Sequence, residues 1–237
     1  MEKGKFYGVG VGPGDPELIT VKAVKILQEV DVIIAPHTEK KEESTALSIV
    51  KPYIRPGIII LELVFPMILD KMDLAGVYEN NANTIKGLLG EGKSVAFLTL
   101  GDPMLYSTYI HIYRLLKQDS ISIETIPGVT SFCAAACRAG VPLADGNEVL
   151  SIIPATNNSE RLENIFKNSD SLVLLKVYKN HRQIAAQLIE SGLSENAVMI
   201  SRCGLDGEEV IYNLNNLGEK KPNYLTTVLA KKRREED

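Results

Sequence analysis

Gly101-Asp102-Pro103-Met104-Leu105-Tyr106-Ser107-Thr108 places a glycine, a carboxylate, a phenol and two hydroxyls in one short stretch. The stretch directly follows Ser94 to Leu100, an apolar run that reads as a buried parallel strand. Loops at the carboxyl ends of such strands are where open α/β sheets bind ligands. Gly101 lets a ligand approach the backbone closely, and Pro103 stiffens the turn and removes one donor. The chemistry on offer is recognition by backbone groups, with Asp102 and the hydroxyls beside them. A plain left-handed turn capped by an aspartate accounts for the same residues without a ligand.

A companion loop lies near the amino terminus. Lys5 to Val11 reads as a first strand, followed by Gly12-Pro13-Gly14-Asp15-Pro16 and a helix from about Glu17. Asp15 suits an N-cap and Pro16 the first helical position. Ile19, Ala23, Ile26, Leu27 and Val30 give that helix one apolar face. The glycines do not fit a dinucleotide fingerprint: counted from Gly8 and Gly10 the third glycine position is Pro13, and counted from Gly10 and Gly12 it is Asp15. No P-loop lysine pattern occurs either. Gly12 and Gly14 serve a tight strand-to-helix turn or the close approach of a ligand.

His37, His111 and His181 have no metal-ligand spacing among them, and His37 reads as a surface loop residue after the second strand. Cys133 and Cys137 stand four apart on a predicted helix, with Cys203 remote. That count favours buried free thiols over a disulfide framework or a four-thiolate zinc site. Charged residues make up 24% and hydrophobic ones 45%, with a formal net charge of −4. This is the balance of a globular domain and argues against nucleic acid as a partner. No apolar run reaches transmembrane length, and Glu2, Lys3 and Lys5 lead straight into a strand without a signal-peptide pattern. The expected location is a reducing cytoplasm.

The elements that must position these residues alternate strand and helix. Asp31 to Ala35 reads as a strand ended by Pro36, 37–45 as a polar loop, Thr45 to Val50 as a short helix and Ile58 to Leu63 as a strand. Phe65 to Met72 reads as an apolar loop, Leu74 to Leu89 as a helix, and Ser107 to Leu116 as another with Tyr106 at its start. Such alternation predicts a mainly parallel sheet. A domain boundary is expected near 117–120, giving an N-terminal α/β domain over 1–118 and a C-terminal one over 121–237. The second opens with a strand from Ser122 to Ile126 and a small-residue helix from Ser131 to Ala139. Further strands are expected at Glu148 to Ile153, Ser171 to Val177 and Ala197 to Arg202, with helices at Ser159 to Lys167 and His181 to Ser191. Glu208 to Leu214 and Tyr224 to Lys231 read as strands joined by a loop, whose antiparallel pairing makes the second sheet mixed. Lys231 to Asp237 reads as a solvated charged end.

Four motifs in one order carry a family resemblance: Gly8 to Thr20, Gly101 to Thr108, Ile126-Pro127-Gly128-Val129-Thr130-Ser131, and Ser201-Arg202-Cys203-Gly204. The chain resembles the tetrapyrrole (corrin and porphyrin) methylases, which use S-adenosylmethionine. Phe65-Pro66-Met67 and the Gly101 loop resemble most closely the branch that methylates C20 of precorrin-2 or of cobalt-factor II. The resemblance implies two α/β domains of the class III methyltransferase type, with the cofactor in a cleft between them, and a homodimer. It implies that Pro13, Leu100, Gly101, Asp102, Leu105, Thr130, Ser131, Lys176 and Gly204 line the cofactor site. Tyr106 then stands near the methyl-transfer region. Any cobalt arrives within the substrate, and no protein-bound metal is expected. Relatives that methylate uroporphyrinogen carry an aspartate just after the second strand, where this chain has Ala35-Pro36-His37.

Each candidate has a plainer role. The Thr130 and Ser131 hydroxyls serve as a helix cap or as ligand contacts, which are compatible. Lys176 lies in an apolar strand run, where its ammonium must be paired or reach a cleft. Being a cation, it should meet a sulfonium only through its backbone, its side chain facing substrate carboxylates. Lys40, Lys41 and Arg138 are further candidates for those carboxylates. Tyr106 is either a reaction-site phenol or an aromatic packed on the sheet. Phe65 to Leu69 favours a cavity for a flat macrocycle, with packing or a dimer contact as the alternative. Another tetrapyrrole or diphthine-type methylase, or a non-catalytic module binding a nucleotide-like ligand, stays open at this point.

Overall fold

The structure, a computed structural model, describes residues 4–38, 44–66, 71–155, 159–212, 214 and 222–232. The chain divides into two compact units, Met1–Thr130 and Ser131–Asp237.

The first unit is one parallel sheet of strands β1 (Phe6–Gly10), β2 (Val32–His37), β3 (Ile59–Val64), β4 (Val95–Thr99) and β5 (Ile123–Ile126). Their order is β3-β2-β4-β1-β5. Side chains alternate across each strand, so the sheet has two apolar faces. Ile33, Ala35, Ala96 and Leu98 pack with Ala23 and Leu27 of helix α1 (Val21–Glu29) and with helix α2 (Thr45–Val50). Val32, Ile34, Val95 and Phe97 pack with Ala82 and Ile85 of helix α3 (Lys71–Gly90) and with Ile112 and Leu116 of helix α4 (Tyr109–Gln118).

Three expectations change here. The helix expected from Glu17 is two pieces, because two caps compete. The Asp15 carboxylate accepts the Glu17 N–H at 2.9 Å and ends up heading a single tight turn, Pro16–Leu18. The Thr20 hydroxyl then accepts the Ala23 N–H at 3.2 Å and starts α1. Pro36 does not end β2. Pairing with β4 stops at Ile34↔Phe97, while pairing with β3 runs on to His37↔Val64, so the missing N–H breaks no bond on the β4 side. The boundary expected near 117–120 lies after Thr130. β5 pairs with β1 from Phe6↔Ile123 to Val9↔Ile126, closing a free edge of β1 and adding Ile126 to the core beside Val9 and Leu98.

The second unit holds helix α5 (Ser131–Ala139), β6 (Leu150–Pro154), α6 (Ser159–Asn168), β7 (Ser171–Leu175), α7 (His181–Glu190), β8 (Ala197–Ser201), β9 (Glu209–Tyr212) and β10 (Thr226–Lys231). The sheet order is β6-β7-β10-β8-β9. β6 and β7 are parallel, and β10 lies antiparallel to both β7 and β8. The sheet is mixed, as expected, but β9 and β10 do not pair with each other: β8 stands between them and pairs antiparallel with β9. Lys231 is the last residue of β10, ion-paired with Glu148 at 2.9 Å, and 233–237 lie outside the described residues. Cys133 and Cys137 are free but exposed rather than buried. The buried side of α5 is Phe132 with Ala134, Ala135 and Ala136, and the three alanines let the helix lie close on β8 and β10. No helix among the described residues is long and apolar enough to cross a membrane.

One ion-pair network fastens the sheet edge at β5. The Glu124 carboxylate receives the ammonium groups of Lys22 of α1 and Lys5, each at 2.5 Å. Lys22 first, then Lys5, holds the carboxyl at about 2, well below its usual range. A depressed carboxyl contributes stability above its unfolded pKa and loses it as pH falls through the folded one. Glu124→Gln is therefore expected to lower stability at neutral pH and to flatten the stability-versus-pH curve between about pH 4.5 and 2. Urea denaturation at a series of pH values reads this directly, and parallel curves for the two proteins would refute it.

Candidate cofactor site

Three loops at the carboxyl ends of β1, β4 and β5 are tied together by backbone. The Val11 N–H donates to the Thr99 carbonyl at 3.0 Å, and the Gly101 N–H to the Gly12 carbonyl at 2.7 Å. Asp102 completes the tie: one carboxylate oxygen accepts the Met104 N–H at 2.8 Å, the other the Gly128 N–H at 3.0 Å. Its first job is thus to hold its own turn and clamp it to the Pro127-Gly128 turn. Each oxygen has a second lone pair left for a ligand donor.

The clamp works only because the approaching residues lack side chains. A Cβ on Gly128 would lie 2.2 Å from the Gly101 carbonyl oxygen, and one on Gly10 2.5 Å from the Gly128 nitrogen. Gly101 is different. Its φ is +74°, yet a Cβ there would meet nothing nearer than the Val129 carbonyl at 4.0 Å. Its Cα faces room, which is what close ligand approach requires. For Gly12, at φ +82°, the turn itself demands glycine.

Two hydroxyls at this end are buried without a hydrogen-bond partner, Thr99 Oγ1 and Thr130 Oγ1. Thr130 therefore does not cap α5 with its side chain. Sequence reading passed over Thr99, 7% exposed at the end of β4; a hydroxyl ending an otherwise apolar strand was the available signal. Pro13 is buried, and Leu100, Asp102 and Leu105 are half-buried. His37 is not a loop residue. It ends β2, and its Nδ1 is buried without a partner.

Tyr106 sits in the left-handed region at φ +48° and is 43% exposed, two residues ahead of the Thr108 cap of α4. The aromatic packed on the sheet is Tyr109, fully buried, with its hydroxyl 2.6 Å from Thr125 Oγ1. Gly8 makes room for that ring: a Cβ there would fall 2.2 Å from it. Phe65 is a core residue, its ring 5.9 Å from Phe97 and 5.6 Å from Tyr78, so the packing reading holds for it. Met67 to Leu69, Lys40 and Lys41 lie outside the described residues.

In the second unit, Lys176 stands just past β7 rather than within a strand, at φ +59°. Burial pushes its ammonium pKa down. Gly204, at φ +73°, donates its N–H to Glu208 at 2.8 Å. The other Glu208 oxygen binds the Arg138 guanidinium. The Gly204 N–H first, and Arg138 with it, hold the Glu208 carboxyl below its usual range. The Arg138 Nε is thereby engaged by Glu208, while its side chain stays 64% exposed. Ser131 opens α5, half-buried. Among the described residues, no three His, Cys, Asp or Glu side chains gather as a metal site would.

The sequence profile of the tetrapyrrole (corrin/porphyrin) methylases matches residues 5–218. The chain belongs to this family. It is 38% identical to the cobalt-precorrin-2 C(20)-methyltransferase of Salmonella typhimurium over 97% of both chains. It is 34% identical to the precorrin-2 C(20)-methyltransferase of a Sinorhizobium species over 84% of both. Among solved structures, a cobalt precorrin-4 methyltransferase superposes with a TM-score of 0.75 at 25% identity, covering 96% of this chain and 94% of that one. The uroporphyrin-III C-methyltransferase of Thermus thermophilus complexed with S-adenosylhomocysteine superposes with a TM-score of 0.69 at 21% identity, over 97% and 98% of the two chains, and so shares the fold. As a family member the chain is an S-adenosylmethionine-dependent methyltransferase. Its residues fit that cofactor: a side-chain-free Gly101 facing room, a clamped carboxylate, and buried hydroxyls that lack partners.

Thr130→Val deletes the hydroxyl at nearly constant shape. The unliganded protein is expected to keep its stability or gain up to about 1 kcal/mol, because a buried unsatisfied group disappears, while S-adenosylhomocysteine binds more weakly by calorimetry. A clear loss of unliganded stability would instead show the hydroxyl bonded within the protein. Asp102→Asn presents an amide donor to one of two backbone donors. It should cost about 1.5–3 kcal/mol of stability, the worth of a hydrogen bond to a charged group, measurable as a shifted denaturation midpoint.

Proposed function

We propose that this chain transfers a methyl group to C20 of precorrin-2 or its cobalt chelate, cobalt-factor II, in cobalamin biosynthesis. The observation that carries the proposal is the 38% identity, over 97% of both chains, to a cobalt-precorrin-2 C(20)-methyltransferase. S-adenosylmethionine supplies an electrophilic methyl on a sulfonium centre. Pro13, Leu100, Gly101, Asp102, Leu105 and Thr130 hold it in this reading. The same set extends to Ser131, Gly204 and the backbone of Lys176 in the second unit. The reduced macrocycle's meso carbon behaves like an enamine and brings its own electron pair. As the carbon–methyl bond forms, the methyl–sulfur pair stays on sulfur, and the C20 proton then leaves. The protein's part is then to hold carbon, methyl and sulfur in line, with no side chain needed to generate a nucleophile. Tyr106, exposed in its left-handed turn, orients substrate or cofactor through its phenol.

The same proposal includes a homodimer, a cytoplasmic location, and cobalt that enters only within the substrate. Support for the dimer comes from β3. It is an edge strand of its sheet, with Ile59 53%, Ile60 40% and Val64 38% exposed. An uncovered apolar edge is a template for association.

Incubation with 13C-methyl cofactor and cobalt-factor II, with precorrin-2 in parallel, is expected to place the label at C20 by NMR. Label at any other carbon overturns the regiochemistry. Tyr106→Phe should lower turnover efficiency by no more than roughly ten-fold, the worth of one hydrogen bond. A single-turnover rate a thousand-fold lower with substrate binding intact would make the phenol a proton-transfer group instead.

A further inference from the structure

Lys176 bears two costs. It occupies a left-handed backbone position, φ +59° and ψ +34°, which glycine or asparagine fills with less strain. Its ammonium also sits where burial disfavours the charge. A purely structural turn would be better served by glycine. A lysine kept against both costs points to its side chain's being used.

The surroundings say for what. Lys176 directly follows β7, and Tyr178 comes two residues later in the turn Val177–Lys179. β10 begins at Thr226 and pairs with β7 through Leu175↔Thr227. Continued past the strand ends, that register sets residue 178 opposite 224. The rings bear this out: Tyr178 and Tyr224 meet edge-on at 5.0 Å and 63°. Tyr224 is 40% exposed, and burial together with Tyr178 pushes its phenol pKa above the usual range, so the hydroxyl stays a donor. Lys176 and the paired rings of Tyr178 and Tyr224 thus follow the carboxyl end of β7, the end of a sheet where α/β proteins bind ligands. An ammonium and phenol donors suit a carboxylate, and aromatic rings suit the edge of a flat π-system.

The geometry points to Lys176, Tyr178 and Tyr224 as a carboxylate-recognition subsite that holds an acidic ring substituent of the tetrapyrrole. This rests on the tetrapyrrole reading above but not on which carbon is methylated. The competing source of a carboxylate is the amino-acid end of the cofactor, and the test separates the two.

Fluorescence titration with uroporphyrin, a flat macrocycle rimmed with carboxylates, reports the ring subsite, and calorimetry with S-adenosylhomocysteine reports the cofactor. Lys176→Gly should raise or preserve the melting temperature while weakening uroporphyrin about ten-fold or more, the size of one charge-assisted hydrogen bond. Lys176→Arg should recover most of that loss. Tyr224→Leu should weaken uroporphyrin too, and coproporphyrin, with fewer carboxylates, should bind less tightly to the native protein. S-adenosylhomocysteine affinity should fall by less than uroporphyrin affinity in every variant. Equal or larger loss of S-adenosylhomocysteine would assign the lysine to the cofactor and overturn the subsite. Unchanged uroporphyrin binding in Lys176→Gly, or no uroporphyrin binding by the native protein, would overturn it as well. A C20 label with no Lys176 effect rejects the subsite alone, whereas label at another carbon with the Lys176 effect intact rejects only the regiochemistry.

Discussion

The Asp102 carboxylate accepts backbone N–H groups from both its own turn and the Gly128 turn, and the arrangement of the first unit's ligand end depends on it. Without an acceptor in that position two backbone donors would lose their partner. With it, the loops after β4 and β5 are fixed relative to each other, and the Gly101–Gly12 bridge ties in the loop after β1. The charge strengthens both bonds. Gly10 and Gly128 allow the clamp by letting backbone approach backbone at distances that any Cβ would block. The three loops thereby form one main-chain frame, the kind of support that positioning catalysis needs.

The frame is not optimised for the unliganded state. Thr99 and Thr130 carry buried hydroxyls without partners, and Tyr106 sits at positive φ. Each costs stability, and strain and unsatisfied groups concentrate where ligands act. The large cores on either face of the sheet, from Phe97 and Tyr109 on one side to Leu27 and Leu98 on the other, offset those costs.

The second unit reaches a similar end by other means. Its strands leave the sheet through left-handed residues, Lys176 after β7 and Arg202 after β8. Glu208 then organises the turn after β8 by taking the Gly204 N–H on one oxygen and Arg138 on the other. In both units a carboxylate serves first of all as a bracket for backbone.

What the sequence determined by itself was local or motif-borne. The apolar face of α1, the apolar run of β4, the start of α5 at Ser131, the two-unit α/β class and the family were all legible, because side-chain period and turn chemistry are encoded over a few residues. Pairing was not. That β5 belongs with β1, and that β10 inserts between β7 and β8 so that β9 and β10 never meet, depends on which edge remains open after other strands have packed. The roles of Asp102, Arg138 and His37 were equally hidden, since a carboxylate, a guanidinium or an imidazole reads the same in sequence whether it faces a ligand or a partner tens of residues away. Only the tertiary structure, by bringing Gly128 to Asp102 and Glu208 to Arg138, decided which polar groups were already committed and which buried hydroxyls were left for something else to satisfy.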